Sequence, residues 1–112
     1  MGAIDDETRR ATRLFLDRIA GRYPVVGAWL FGSRARGDHR PDSDADVAVL
    51  LSGAPIRAPM VGAEMAGFAF DAMLESGVLV SPLPLWQDEW DDPERFSNPA
   101  LLKSIQREGI AL

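Results

Sequence analysis

Two short apolar segments joined by a polar linker constrain this fold more than any other feature of the sequence. The first is VVGAWLF, residues 25–31, and the second is DADVAVLL, residues 44–51. Each has the length and β-branched content of a strand, and each is bounded by turn-forming residues. Twelve residues separate the two segments, which is too many for a tight hairpin. The linker GSRARGDHRPDS therefore has room for a functional loop.

Amphipathic patterns flank these two strands. Apolar residues recur at helical spacing over residues 5–22 and 60–75, and a third helix is predicted over residues 98–107, capped by Asn98. A third strand, VLVSPLPLW, is predicted over residues 78–86, and its prolines favour an edge position or extended coil for its second half. The order α-β-β-α-β-α predicts an α+β fold, a small mixed β-sheet with helices packed on one side. The length of 112 residues predicts a single domain, residues 1–112.

Composition narrows the function classes. The net charge of −5 disfavours nonspecific binding to nucleic acid through the overall field. The chain has no cysteine, which excludes a disulfide framework, a thiolate metal site and a cysteine nucleophile. No apolar stretch approaches the roughly 20 residues of a membrane span. We expect a cytoplasmic protein that makes no membrane contact.

Two carboxylates stand at the start of the second strand. Asp44 and Asp46 are two residues apart, so their side chains lie on the same face of a strand. Two adjacent ionised carboxylates repel each other, and a hard cation such as Mg²⁺ offsets that repulsion. For an Asp-x-Asp pair taken alone, a strand end whose acids face solvent is the simpler interpretation.

The first strand ends at Gly32 and Ser33. A glycine lets the backbone approach a ligand closely, and a serine at a helix start can cap the helix where free N–H groups bind phosphate. Taken alone, Gly-Ser is an ordinary turn. Three arginines follow in the linker, and they suit a phosphate, although ion pairs to nearby aspartates account for at least one of them. They are Arg34, Arg36 and Arg40.

The two motifs carry more information together than apart. Ser33 and Asp44 are separated by ten residues, which gives the pattern Gly-Ser-x10-Asp-x-Asp. If the two strands are neighbours, a phosphate-binding turn and a metal-binding pair lie on one edge of the sheet. That combination is typical of a site for a metal-bound triphosphate.

This pattern closely resembles the nucleotidyltransferase fold of DNA polymerase beta, and most closely the minimal nucleotidyltransferases of prokaryotes. The family pattern Gly-Ser-x-Ala-Arg-Gly, followed by Ser-Asp-x-Asp, is met at residues 32–37 and 43–46. The resemblance implies that Gly32, Ser33 and Arg36 bind a nucleoside triphosphate, with ATP expected. It also implies that Asp44 and Asp46 are catalytic and bind Mg²⁺.

One feature of the family is missing from this sequence. Active members usually carry a third carboxylate on the strand that follows the middle helix, and here that strand contains no Asp or Glu. Ser81 is the nearest polar residue, and a hydroxyl is a weak Mg²⁺ ligand. Asp71 and Glu75 precede the strand, but their pattern predicts that they face solvent.

Two functions follow from the resemblance. One is a Mg²⁺-dependent enzyme that moves a nucleoside monophosphate, expected to be AMP, from a triphosphate to a hydroxyl on a separate protein or RNA. Minimal nucleotidyltransferases of this length resemble antitoxins that are paired with a HEPN-domain ribonuclease toxin, so such a toxin is the expected partner. The alternative is a catalytically weak or inactive binding module that neutralises its partner by direct contact.

Overall fold

The sheet of this protein has four strands, and its order places the third strand at one edge. A computed structural model describes residues 4–112. The strands are β1 (Val25–Phe31), β2 (Ala45–Leu51), β3 (Val80–Trp86) and β4 (Ile110–Ala111), arranged in the order β3-β2-β1-β4. β1 pairs antiparallel with β2 and β4, whereas β2 and β3 are parallel. The sheet is therefore mixed, as the sequence predicted.

Five α-helices connect or flank these strands in the described part of the chain. They are α1 (Asp6–Ile19), α2 (Ser33–Arg36), α3 (Ala58–Ser76), α4 (Gln87–Asp91) and α5 (Pro99–Glu108), and a 3₁₀ turn spans Pro93–Arg95. The carboxylate of Asp5 caps α1 by accepting a hydrogen bond from the Thr8 amide. Asn98 caps α5 in the same way by accepting from the Leu101 amide. These caps fix where two of the predicted helices begin.

One face of the sheet is covered by α1 and α3. The odd-numbered side chains of β2, from Ala45 to Leu51, enter this core together with Phe15 of α1 and Met65 of α3. The residues on this side of β2 are almost completely buried. This packing confirms the α+β class that the sequence predicted.

The prediction that all helices pack on one side was wrong. Ala48 and Leu50 of β2 lie on the opposite face of the sheet, where they pack against Leu102 and Ile105 of α5. The rings of Trp29 and Trp90 stack there, with centroids 4.5 Å apart. The physical reason is that β2 is apolar at even and odd positions alike, and a strand buried on both faces needs cover on both.

The edge strand β3 contains Pro82 and Pro84, which pair in register with Val47 and Val49 of β2. Proline has no N–H to donate, but an edge strand has one unpaired side, so the loss is tolerated. The edge position predicted for the second half of this strand is confirmed. Among residues 4–112, no helix has both the length and the apolar character that crossing a bilayer requires.

Candidate active site

The two sequence motifs meet at one end of the β1–β2 pair. Because these strands are antiparallel, the last residue of β1 lies beside the start of β2, and Phe31 pairs with Asp46. Gly32 and Ser33 follow Phe31 directly, so the Gly-Ser turn lies next to the Asp-x-Asp pair. The two motifs therefore meet, as predicted, at the ends of two neighbouring strands.

Gly32 has a backbone that only glycine adopts readily. Its φ is 76° and its ψ is −157°. A β-carbon built at this position would lie 3.3 Å from Cγ of Asp46 and would overlap its Oδ2 atom. The bare glycine backbone is what allows the Asp46 carboxylate to lie against the turn.

Ser33 is the first residue of the four-residue helix α2, and Gly32 occupies the N-cap position. The prediction that a serine here would cap the helix was therefore wrong, because the cap position falls one residue earlier. The main-chain carbonyl of Ser33 accepts hydrogen bonds from the amides of Gly37 and Asp38. These bonds close the turn through the left-handed Gly37 and hold Ser33 at the end of β1.

Asp44 and Asp46 differ in their surroundings. Asp44 is exposed, Asp46 is half-buried, and Ala45 between them is fully buried in the main core. Burial raises the pKa of Asp46, the charge of Asp44 raises it further, and Arg36 opposes both effects. The ionised form of Asp46 thus lacks sufficient positive charge around it, and a bound cation would supply that charge.

The three linker arginines differ in their surroundings. Arg34 is 1 % exposed, and its guanidinium donates to the carbonyls of Pro41 and Ser43 and to the hydroxyl of Thr8. Arg36 is exposed beside the site and pairs with Asp38 at 3.3 Å. Arg40 is exposed. Of the three, only Arg36 faces the site, and Arg34 fastens the segment that leads into Asp44.

A cleft of about 270 Å³ opens over Gly32 and Asp46. It is lined by Phe31, Gly32, Ala35, Arg36, Asp46, Leu101, Ser104 and Glu108. Its α5 wall was not predicted from the sequence, because that wall depends on the return of the chain to β1 through β4. Glu108 adds a carboxylate to the cleft, and this residue was not predicted to belong to the site. Its position directly before a glycine and a short apolar tail was the only available signal.

The position expected to carry a third carboxylate holds a hydroxyl. Ser81 pairs in register with Asp46 across the parallel β2–β3 ladder, so both side chains project from the same face. Glu75 is bound instead to Arg18, and Asp71 is exposed on α3. Neither of these acids lines the cleft.

The residues present fit a magnesium ion that keeps additional oxygen ligands. In the described part of the chain, no group of three or more His, Cys, Asp or Glu residues could hold a metal ion. Mg²⁺ commonly binds one or two carboxylates and completes its shell with water and phosphate oxygens. Asp44 and Asp46 match that donor set, and the raised pKa of Asp46 indicates that a positive charge is needed there.

A wider depression of about 710 Å³ lies elsewhere, beside α3. Its walls include Tyr23, Glu64 and Phe68, but not Gly32, Asp44 or Asp46. The smaller cleft is the candidate active site, because of these two depressions it is the one lined by residues of both motifs, Gly32 and Asp46.

Comparison with known proteins agrees with this geometry. The model of the nucleotidyltransferase domain family matches residues 12–91. No curated protein matches the chain. The fold is similar to the crystal structure of a candidate nucleotidyltransferase from Sulfolobus solfataricus, with a TM-score of 0.50 and 20 % identity over 99 % of this chain and 89 % of that one. At that identity the structural similarity supports the fold alone. The family match includes β1, both motifs and β3, and the chain belongs to the nucleotidyltransferase domain family.

Proposed function

We propose that this protein is a Mg²⁺-dependent nucleotidyltransferase that moves AMP from ATP to a hydroxyl on a separate protein or RNA. The contact between Gly32 and Asp46 is the observation that carries the proposal. It places a turn suited to phosphate against Asp46, one carboxylate of a pair suited to a metal, and Gly32 and Asp46 line the same cleft. The family match supports nucleotidyl transfer in general.

Each site residue has a role in this proposal. Gly32 and Ser33 bind the triphosphate through their main chain, and Arg36 supplies positive charge beside it. Asp44 and Asp46 would hold Mg²⁺, which when bound offsets the negative charge on the phosphate oxygens. The chain's contribution is mainly to position these groups, since phosphoryl-type transfer depends largely on alignment and charge stabilisation.

The reaction needs only ATP and the acceptor hydroxyl as reactants. The acceptor hydroxyl oxygen bonds to the α-phosphorus of ATP as the bond from that phosphorus to the β-phosphate bridging oxygen breaks. Pyrophosphate leaves, and the hydroxyl proton is released to solvent. The acceptor then carries AMP as a phosphodiester. No oxidant or reductant takes part.

A separate acceptor is consistent with the size of the cleft. Sites that enclose a drug-sized ligand have volumes of about 300–1,000 Å³, whereas this cleft has about 270 Å³. We therefore place the triphosphate in the cleft and the acceptor outside it. The partner we propose is a HEPN-domain ribonuclease toxin in the cytoplasm, on the strength of the family resemblance.

The register of Ser81 with Asp46 favours a second candidate function. A hydroxyl in place of a carboxylate weakens the hold on a second metal ion, and the two-metal arrangement needs both ions. The second candidate is therefore a binding module with this fold that neutralises its partner by covering it. Its nucleotide site would bind ligand with little or no turnover.

Labelled ATP separates the two candidates. The protein is incubated with Mg²⁺, the protein encoded by the adjacent gene, and ATP labelled on the α-phosphate or, in parallel, on the γ-phosphate. An enzyme transfers the α-label only, and Asp44→Asn abolishes the transfer. Asp42→Asn is the matched control, because Asp42 is an exposed acid in the same loop.

Neutralisation of the partner is measured on the same variants. If it is lost in the Asp44→Asn, Asp46→Asn double variant, it depends on the site. If neutralisation survives in that variant and no label is transferred, the enzyme proposal fails and the binding module replaces it.

A further inference from the structure

The side of α3 that faces away from the sheet exposes a row of apolar residues, with Glu64, Asp71 and Glu75 beside it. Met60 is 53 % exposed, Phe70 is 52 % exposed and Leu74 is 69 % exposed, and Ile56 just before the helix is 73 % exposed. The opposite side of α3 is buried in the main core through Met65, Ala69 and Ala72. A helix that exposes an apolar row in addition to its core side is typical of one that packs against a partner along that row.

The exposed residues follow a heptad pattern. Their spacings alternate between three and four residues, which is the spacing of a helix-pairing seam. The seam, as we define it, consists of Met60, Ala63, Gly67, Phe70 and Leu74. Single exposed apolar residues are common on protein surfaces, but a continuous row over the length of a helix marks an interaction surface.

With the exposed Ile56 that precedes the helix included, the order of side-chain sizes along the seam is the same from either end. Large residues lie at both ends, and the small Ala63 and Gly67 lie in the middle. In an antiparallel pair of α3 helices, Met60 of one copy therefore meets Phe70 of the other, and Ala63 meets Gly67. Small residues at the crossing point allow two helices to approach closely. This self-complementarity favours a second copy of the chain over an unrelated partner.

The charges beside the seam agree with the same pairing. Glu64 and Asp71 lie seven residues apart along one flank of the seam, and Arg57 lies at the start of the helix as its N-cap residue. In the antiparallel arrangement, Arg57 of each copy lies beside Asp71 of the other. The two Glu64 residues meet near the symmetry axis, which opposes pairing, although each Glu64 carboxylate accepts a hydrogen bond from the Tyr23 hydroxyl.

The 710 Å³ depression offers a place for that arginine. Its walls include Glu64, Gly67, Phe70 and Asp71 from the seam side of α3, together with Arg22, Tyr23 and Phe68. The Arg22 guanidinium already lies over the Phe68 ring, 5.0 Å from its centroid, and the Tyr23 hydroxyl donates to Glu64. A second guanidinium would therefore lie beside Asp71 and Phe70. Acidic groups beside aromatic rings suit a guanidinium, which can form an ion pair and stack on a ring. An Arg57 side chain from a second copy brings that chemistry.

We propose that the protein forms a two-fold dimer through antiparallel α3 helices, with Arg57 of each copy in the depression of the other. This interface lies on the α1–α3 face of the sheet, whereas the α5 wall of the cleft lies on the other face. The dimer therefore leaves both clefts open, and it does not depend on the proposed activity.

Sedimentation equilibrium of the full chain, from about 1 µM to about 1 mM, tests the dimer. The wild type is expected to show a monomer–dimer equilibrium in this range. Phe70→Asp and Gly67→Gln are expected to raise the dissociation constant at least about tenfold. Both variants should fold, because Phe70 is exposed and a β-carbon at Gly67 meets open space; far-UV circular dichroism verifies this.

A charge exchange tests the orientation of the helices. Arg57→Asp alone is expected to weaken the dimer, and Arg57→Asp combined with Asp71→Arg is expected to restore it. Arg40→Asp, an exposed arginine in the site loop, is the matched control and leaves the dissociation constant unchanged. A chain that stays monomeric at every concentration, or a dimer that Phe70→Asp and Gly67→Gln leave intact, overturns the proposal. A double exchange that fails to restore pairing overturns the antiparallel arrangement.

Discussion

Gly32 and Asp46 are packed so closely that no side chain fits between them. A β-carbon on residue 32 would overlap Oδ2 of Asp46. These two residues are 14 positions apart in the sequence, and each belongs to a different motif. Their contact brings the Gly-Ser turn and the second carboxylate of the Asp-x-Asp pair together, so a change in either motif should alter the other.

Gly32→Ala is expected to damage the site and the fold together. The backbone at Gly32 lies in a region that is nearly exclusive to glycine, which costs an alanine about 1–3 kcal/mol. The new methyl group also displaces the Asp46 carboxylate. Urea unfolding should show a loss of at least that size, and Mg²⁺-dependent nucleotide binding should fall below detection.

Gly37→Ala is the matched control for this change. Gly37 also has a positive φ, of 83°, but a β-carbon there meets open space. We expect a cost of about 1–2 kcal/mol from backbone strain alone, with nucleotide binding retained. Equal loss of binding in both variants would contradict a specific role for the Gly32–Asp46 contact.

Arg34→Met is expected to destabilise the protein by about 3 kcal/mol. The substitution removes a buried guanidinium and leaves the carbonyls of Pro41 and Ser43 without their donor. The segment before Asp44 then loosens, so the affinity for Mg²⁺ should fall as well. Urea unfolding and Mg²⁺ titration measure the two effects.

Arg40→Met is the comparison for Arg34, because Arg40 is exposed in the same loop. It should change the unfolding free energy by no more than about 0.5 kcal/mol. If both methionine variants unfold alike, then Arg34 does not hold the loop in place.

The pH dependence of stability should reveal the unusual environment of Asp46. Its pKa is raised by burial and by the charge of Asp44, so the folded protein holds a proton there that the unfolded chain releases. The stability from this group is present below the ordinary pKa of 3.8 and is lost as the pH rises through the raised value. Asp46→Asn should therefore raise the free energy of unfolding at pH 7 without Mg²⁺.

Asp5→Asn provides a control of opposite sign. Hydrogen bonds from Thr8 hold the pKa of Asp5 below its ordinary value, so its stabilising effect is present above pH 3.8 and is lost as the pH falls. This variant should be less stable than the wild type at pH 7. Urea unfolding between pH 3 and pH 7 compares the two. An Asp46→Asn protein that is less stable than the wild type at pH 7 contradicts the environment described for Asp46.

Ser81→Asp is expected to increase turnover. The substitution places a third carboxylate beside Asp46, on the same face of the sheet. A better-held metal pair should raise the rate of nucleotidyl transfer by about tenfold or more, while the metal-free protein becomes less stable because like charges are adjacent. Transfer of α-labelled ATP and urea unfolding measure these two changes.

Ser81→Asn is the neutral control of the same shape, and it should leave the rate unchanged. A Ser81→Asp protein with unaltered transfer and unaltered Mg²⁺ affinity would show that residue 81 lies outside the metal site.

The bounds of individual strands and the edge position of β3 were predictable because they depend on residues within or next to each strand. The strand over residues 25–31 has the predicted bounds, since a proline and a glycine delimit it. Pro82 and Pro84 predicted the edge position of the strand that contains them. β4 has only two residues, too few for any periodicity, and it forms because the chain end returns to β1 at Trp29 and Leu30.

The site was predictable where two motifs had a fixed spacing, and not where it depended on packing. The closeness of Gly32 to Asp46 was predicted in this way. The burial of Arg34 was not, because it depends on carbonyls that only the folded loop turns inward. Glu108 reaches the cleft only through the docking of α5 on the second face of the sheet, and no helix was predicted to cover that face.

The most direct test of the site is calorimetric titration with a non-hydrolysable ATP analogue, with and without Mg²⁺. We expect binding that requires Mg²⁺ in the wild type and in Asp42→Asn. In Asp44→Asn and Asp46→Asn we expect the affinity to fall at least about 100-fold, a loss of about 2.7 kcal/mol. Binding of equal strength in all four proteins, or binding that is indifferent to Mg²⁺, would contradict a joint site for triphosphate and metal at Gly32, Asp44 and Asp46.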